Sequence, residues 1–308
     1  MLNVENKNIF KKESFLMHLL IRLGLNSLAW SLRWLYCPVK KTDLVLEVGS
    51  GGSPYFRANI LCDAYLNTGE RGFVPLVSDR PTVLAFVENL PFKDSSFDFL
   101  IASHVLEHSM DPDKFLSEIQ RVAKAGYIEV PDAFMERLTN YKAHRLEISE
   151  ENNCLMIRKK TASTVDIDLE HLFGKAKEIF PNWLTKFPFH FHVRYYWNRQ
   201  TGGIKYKILN PEYKFDWQYQ DSESTQKANI NLKIKIKQFV LKIFRVIFSQ
   251  NKRNKLINIF DYLVCLDCKN DKLNRIDNVL VCQSCGKQYL IHNNIIDFTN
   301  NYENSSSR

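Results

Sequence analysis

The rhythm of apolar and polar positions changes several times along the chain, and each rhythm indicates an element. Residues 14–36 (SFLMHLLIRLGLNSLAWSLRWLY) carry apolar side chains at helical spacing, which predicts a helical segment. At Leu44 the pattern becomes a short apolar run, Leu44-Val45-Leu46-Glu47-Val48, which opens directly into Gly49, Gly51 and Gly52. A run of this kind reads as a strand buried on both faces. Further runs predict strands near 60–63, 83–87, 97–103 and 126–130. Between the last two, the register 113–124 sets Phe115, Leu116, Ile119, Val122 and Ala123 on one face of a helix. Asp111-Pro112 starts that helix, at a position where the N–H that proline lacks is not needed. Strands alternating with helical patterns indicate an α/β domain built on a parallel sheet.

Farther along, 144–159 reads as two strands about the polar turn Glu151-Asn152-Asn153, an antiparallel hairpin expected at the edge of that sheet. Residues 165–217 are rich in aromatics and hold His171, His190 and His192. The alternation FHFHVRYYW predicts a strand with His190, His192, Arg194 and Tyr196 on one face. Such a face suits an acceptor pocket of aromatic rings and imidazoles, or simply the solvated side of a half-buried sheet. A metal site from His190 and His192 lacks a third ligand. Between Ser224 and Phe260 there are nine basic residues and no acidic one. Leu232, Ile236, Phe239, Val240, Ile243, Phe244 and Ile247 recur there at i, i+3, i+4 and i+7. A basic amphipathic helix of this kind can lie on an anionic membrane, pack its apolar face on the core, or present a strip to RNA.

At 308 residues, with 45% hydrophobic and 25% charged residues, the composition is that of a globular protein with room for one large domain and a smaller one. The net charge of +8 points to an anionic neighbour. Seven cysteines stand at 37, 62, 154, 265, 268, 282 and 285. The last four, Cys265-x2-Cys268-x13-Cys282-x2-Cys285, have the spacing of two metal knuckles. Four thiolates fill a tetrahedral Zn²⁺ and leave no position for water, so the expected role is structural. Lys11, Lys12, Glu13 and Arg22 interrupt the N-terminal apolar stretch, and no leader peptide is expected. No uncharged apolar run reaches the ~18 residues that span a bilayer. The expected location is the cytoplasm, with attachment to the inner face of the membrane through 231–255. The expected organisation is a helical lid or brace over 1–40, a core over 41–160, an aromatic-rich substrate region over 161–222, a basic helix and linker over 223–260, a zinc ribbon over 261–300 and a disordered tail over 301–308.

Several motifs follow one another in a set order. Glu47-x-Gly49-x-Gly51 is followed by Asp63, then by Glu88 with Leu90-Pro91-Phe92, then by Phe97-Asp98 and Ser103-His104-Val105-Leu106-Glu107-His108. Over roughly 40–132 this series resembles the class I S-adenosylmethionine-dependent methyltransferases of the SHVLEH type. The resemblance implies an α/β fold, a Rossmann-like seven-stranded methyltransferase sheet with helices on both faces. It also implies S-adenosyl-L-methionine as cofactor. Asp63 would accept the ribose hydroxyls, while Glu47, Gly49 and Gly51 would sit beside the methionine moiety. Backbone groups at Glu88 would lie near the adenine, and Ser103 and His104 would line the floor under the sulfonium. Three positions depart from the pattern. Ser53-Pro54 replaces the third glycine, and Phe86 stands where many relatives carry an adenine-contacting aspartate. Glu47 and Asp63 lie sixteen positions apart (63 − 47), which leaves room for only one or two helical turns over 54–59.

A second resemblance covers 263–298. With Leu273, Leu280, Tyr289, Ile291, Asn293 and Ile295 around its cysteines, this segment is similar to the small zinc-ribbon activator subunit of tRNA, rRNA and release-factor methyltransferases. It implies a partner supplied in cis. The SHVLEH core, the RYYW segment and the ribbon together resemble bacterial methyltransferases of surface-polysaccharide assembly. A sugar hydroxyl of a glycan or lipid-linked glycan is then the expected acceptor, with His108, His144 and His190 as candidate bases. The alternatives are an RNA methyltransferase, and a methyltransferase-like scaffold with little or no catalysis.

Overall fold

The computed structural model describes residues 10–71, 74–161, 174–217 and 232–299. In chain order the strands are β1 (Val45–Val48), β2 (Ile60–Asp63), β3 (Thr82–Leu84), β4 (Phe99–Ser103), β5 (Ala125–Pro131), β6 (Leu146–Glu151), β7 (Cys154–Lys159), β8 (His192–Asn198), β9 (Tyr206–Ile208), β10 (Leu273–Ile276), β11 (Val279–Cys282), β12 (Gln288–His292) and β13 (Ile295–Asp297). The helices are α1 (Phe15–Arg22), α2 (Asn26–Ser31), α3 (Pro112–Val122), α4 (Ala133–Thr139), α5 (Gly174–Lys186), α6 (Leu232–Phe248) and α7 (Asn251–Asn254). They form two compact units. A glycine-loop unit comprises Lys40–Ile101, Asp113–Lys124 and Asp221–Arg308. A histidine unit comprises Met1–Val39, Ala102–Pro112 and Ala125–Gln220. His171, the start of the basic segment and the C-terminal tail lie outside the described residues.

In the glycine-loop unit every residue of β1, β2 and β3 is buried, as their unbroken apolar runs require. β1 and β2 are parallel, as are β2 and β3. The face of α3 read from its periodicity is the buried one: Phe115, Leu116, Ile119 and Val122 are all 1% exposed or less. The sheet does not stop at β3. β10 to β13 form an antiparallel meander, and β13 then pairs parallel with β3, setting Ile296 opposite Val83 and Asp297 opposite Leu84. The Phe298 N–H donates to Leu84 O at 2.8 Å. A second seam joins Lys93 N–H to Tyr262 O at 2.9 Å and Val264 N–H to Pro91 O at 3.0 Å. The cysteine-rich segment therefore covers the β3 edge, whose donors and acceptors would otherwise be open to another strand. The expectation of a seven-stranded sheet fails here, because β10 to β13 continue it.

The short helix expected over 54–59 is absent: the crossover from β1 to β2 is irregular. Its end is tied down when Asn59 N–H donates to Val45 O at 2.8 Å. The basic segment supplies the missing support. Asn59 Nδ2 donates to Asn254 Oδ1 at 2.8 Å, Arg80 Nη2 donates to Ser249 Oγ at 3.2 Å, and Arg245 Nε pairs with Asp79 Oδ2 at 3.1 Å. Phe56 of the crossover meets Phe244 and Phe248 with ring centroids 6.4 and 6.2 Å apart. The packing reading of this helix therefore holds for its C-terminal end. Ile236, Phe239 and Ile247 of the predicted apolar face remain 54%, 64% and 62% exposed.

In the histidine unit, the helix read over 14–36 is broken into α1 and α2 at Gly24, whose φ of 76° lies in the left-handed region. β5 pairs antiparallel with β8 over seven residues, from Ala125 opposite Asn198 to Pro131 opposite His192. The hairpin β6–β7 does not close the main sheet as expected. It forms a separate three-stranded sheet with β9. The FHFHVRYYW strand is also not half-buried, since Val193 to Trp197 are all buried. Arg194 tolerates this position because Nη1 donates to Glu13 Oε1 at 2.7 Å. His190 lies outside the strand, in the turn Pro188–His190, and so does not share a face with His192.

Candidate functional site

The turn after β1 uses its glycines as the sequence implied. Gly49 and Gly51 have φ of 63° and 55°, a region costly for any residue with a Cβ. This geometry aims the Gly51 N–H at Asp63, the last residue of β2, with a bond of 2.8 Å to Oδ2. The other oxygen of Asp63 accepts from Tyr65 N–H at 3.1 Å and from Arg71 Nη1 at 2.7 Å. Arg71 is held in turn by the carbonyls of Tyr65 and Leu66, both at 2.8 Å. Its Cδ lies 3.2 Å from where a Cβ on Gly51 would stand. A Cβ on Gly52 would come 2.4 Å from Val74 Cγ1, so the chain after Arg71 packs directly on the loop. Sequence reasoning missed Arg71 because nothing in the spacing ties an arginine eight positions downstream to Asp63.

Glu47 is 2% exposed, and its Oε2 accepts the Tyr55 N–H at 2.8 Å. Burial pushes its carboxyl up to about 8, against the opposing pull of the Tyr55 N–H and Arg80, so it carries a proton at neutral pH. Glu88 sits in the turn Val87–Asn89. Phe86, just before it, meets Tyr65 edge-on with centroids 5.8 Å apart, an aromatic contact in place of a carboxylate. Positive-φ glycines beside a buried carboxylate at a strand end form a cradle that fits a ribose diol. A carboxylate offers about four lone-pair sites, and the chain already uses three at Asp63. A diol that needs two of them must displace Arg71.

The histidine unit carries two further clusters. His104 adopts φ of 57°, which is uncommon for a residue with a side chain and typical of functional loops. Its Nδ1 lies 3.3 Å from Glu107 Oε1 and its Nε2 lies 3.4 Å from Glu129 Oε1. Glu129 also accepts from Ser103 Oγ at 3.1 Å, Tyr127 OH at 2.5 Å and Arg33 Nε at 3.2 Å. Burial alone would raise Glu129, but His104, Arg33 and Tyr127 together hold it well below the usual carboxylate range. Burial would lower His104, yet Glu107 and Glu129 hold it above its ordinary value. His104 is therefore an ion-pair partner of two carboxylates. Glu129 and Arg33 were not anticipated; the available signal was a lone acid within the apolar run Tyr127-Ile128-Glu129-Val130, the same pattern that marks Glu47.

His108 and His144, both named from sequence, are brought together with ring centroids 4.7 Å apart. With Glu107 they form a group whose ligand atoms all lie within 4.8 Å of one another. His144 Nδ1 lies 2.6 Å from Glu136 Oε2, and Lys160 Nζ donates to Glu136 Oε1 at 2.8 Å. His190 is not part of this group. It is exposed, with Phe187 as its ring neighbour at 6.1 Å.

The four predicted thiols converge. Cys265 and Cys285 are 3.6 Å apart at sulfur, and Cys268 and Cys282 are 3.5 Å apart. Zn–S bonds of about 2.3 Å in a tetrahedron set sulfurs about 3.8 Å apart, so the donor set and spacing suit Zn²⁺. The Tyr289 hydroxyl accepts from Leu266 N–H at 2.9 Å and lies 3.1 Å from Cys265 Sγ, which steadies the first knuckle.

Residues 64–128 match the family described as Methyltransferase domain. Over 82 residues the chain is 32% identical to an uncharacterized protein of Methanocaldococcus jannaschii, covering 25% of this chain and 40% of that protein. Over 100 residues it is 32% identical to norajmaline N-methyltransferase of Rauvolfia serpentina, covering 32% of each. The chain thus spans well under half the length of these curated relatives. The solved structure of the YcgJ protein from Bacillus subtilis is similar at 20% identity, with a TM-score of 0.28, over 40% of this chain and 69% of that one. The glycine turn and the strand-end carboxylate lie directly before the stretch, residues 64–128, that is similar to this methyltransferase family.

Proposed function

We infer that the protein is an S-adenosylmethionine-dependent methyltransferase. The observation that carries this reading is the pair Gly51–Asp63: a left-handed glycine amide bonded to a buried carboxylate at the end of β2. In this reading Asp63 holds the ribose hydroxyls, Glu47 and the amides of Gly49 and Gly51 attend the amino-acid end, and backbone groups at Glu88 face the adenine. The cofactor supplies an electrophilic methyl group; the protein holds and orients the partners. Arg71 keeps Asp63 neutralised until the diol arrives. A hydroxyl acceptor is the class we favour, with His108 and His144, brought together beside Glu107, as the candidate bases. Among hydroxyls, a sugar of a glycan or lipid-linked glycan is the first to test. The exposed Ile236, Phe239 and Ile247 on a lysine-rich helix would suit an anionic membrane that carries such a substrate. The cysteine-rich segment would act in cis through β13, with Zn²⁺ holding its knuckles.

Calorimetric titration with S-adenosylhomocysteine tests the core of this reading. Micromolar binding supports it; no binding by folded protein removes it and leaves the scaffold alternative.

A further inference from the structure

The Glu107 cluster holds more than a proton-transfer reading needs. Its three members come from two places in the chain, the turn Leu106–His108 and the residue preceding Arg145 at the start of β6. The bond from Arg145 N–H to Glu107 O, at 2.7 Å, fixes their approach. Glu107 is 1% exposed. Among the described residues neither of its oxygens accepts a well-formed hydrogen bond, and His104 Nδ1 lies 3.3 Å from Oε1. Buried carboxylates are ordinarily held by several donors; this one faces imidazoles.

Behind His144 stands a second layer. Glu136 is 1% exposed and sits 2.6 Å from His144 Nδ1. Lys160 Nζ, which also donates to Tyr141 O at 3.2 Å, balances its charge. A carboxylate on one imidazole nitrogen fixes the tautomer, keeping the proton on Nδ1 and the lone pair on Nε2. This carboxylate–histidine arrangement backs most metal-binding histidines.

We propose that Glu107, His108 and His144 bind one divalent first-row transition-metal cation. Two imidazoles and one carboxylate suit such a cation, and three protein ligands leave coordination positions open to water or to an oxygen of a bound molecule. The cation's binding is independent of the methyl-transfer reading. The competing arrangement, Glu107 as a simple counter-ion for protonated imidazoles, forecasts no uptake of metal.

Co²⁺ titration of the full chain, followed by visible absorption, separates the outcomes. Cobalt bound to the four cysteines gives intense sulfur-to-metal charge transfer, whereas a site of nitrogen and oxygen ligands gives only weak d–d bands. The expected result is a second equivalent with weak bands alone. Glu107→Gln and His108→Asn should abolish it, and Glu136→Gln should weaken it by about 10–100-fold through loss of the supporting carboxylate. Wild-type protein that takes up only cobalt with the sulfur signature overturns the proposal without reference to any variant. So do variants, folded by circular dichroism, that keep the second equivalent at wild-type affinity. S-adenosylhomocysteine binding measured on the same samples keeps a failure of the function reading distinct from a failure of this site.

Discussion

Asp63 and Glu107 are both buried carboxylates in the part of the chain that carries the ordered motifs, yet their surroundings differ. Asp63 receives three directed bonds, from Gly51, Tyr65 and Arg71. Glu107 receives no well-formed one among the described residues; burial would raise it, and His104, His108 and His144 hold it below its ordinary range. A carboxylate already satisfied by its own chain must exchange partners to bind a ligand, so its affinity reports a competition. One balanced only by surrounding imidazoles can accept a cation without breaking a directed bond.

Four expected outcomes test how far this comparison holds. The largest effect should come from the site where four thiols converge. Cys282→Ser should lower zinc content and reduce thermal stability by several kcal/mol, since structural zinc binding is folding free energy; elemental analysis with calorimetry decides, and unchanged zinc content would remove the metal reading of the knuckles. Next, Asp63→Ala should weaken S-adenosylhomocysteine binding by roughly 100-fold or more, because two charge-assisted bonds at about 1.5–3 kcal/mol each are lost. An unaltered dissociation constant would sink the pocket. Arg71→Ala should act in the opposite direction and tighten binding by roughly tenfold, about 1.4 kcal/mol, by removing the competitor. Weaker binding in that variant would mean that Arg71 joins the ligand. The last test concerns Glu47. Its folded pKa is raised from 4.5 to about 8, so the folded state holds the extra proton between those values. That contribution to stability is full below 4.5 and is lost as pH rises through about 8. Glu47→Gln should flatten this fall in melting temperature; an unchanged slope would show that another group is responsible.

Much of the glycine-loop unit was legible because its signals are local. The apolar run at 44–48, the early proline of α3 and the knuckle spacing each encode their own geometry within a few residues. Phe115, Leu116, Ile119 and Val122 needed only helical periodicity to be placed in the core. The histidine unit was less legible. Hairpin 144–159 reads as an edge element and FHFHVRYYW as a strand with one polar face, and no local rule says which pairs with β5. The tyrosines and Trp197 decide it, since they can be buried on both faces while Arg194 finds Glu13. Arg71, Arg33 and Glu129 were missed for the same reason: their partners are tertiary.

The sequence by itself determined the strand–glycine–acid series, the order of the first five strands along the chain, the core face of α3 and the four thiols, because backbone conformation and side-chain period act over short range. The tertiary structure alone decided that the cysteine-rich segment joins the sheet at β3, that α6 and α7 brace a crossover without a helix, that Asp63 is held by Arg71, and that Glu107, His108 and His144 converge. Each of these depends on burial and hydrogen bonding between residues distant in the chain, where the cost of an unsatisfied polar group, rather than local propensity, selects the partner.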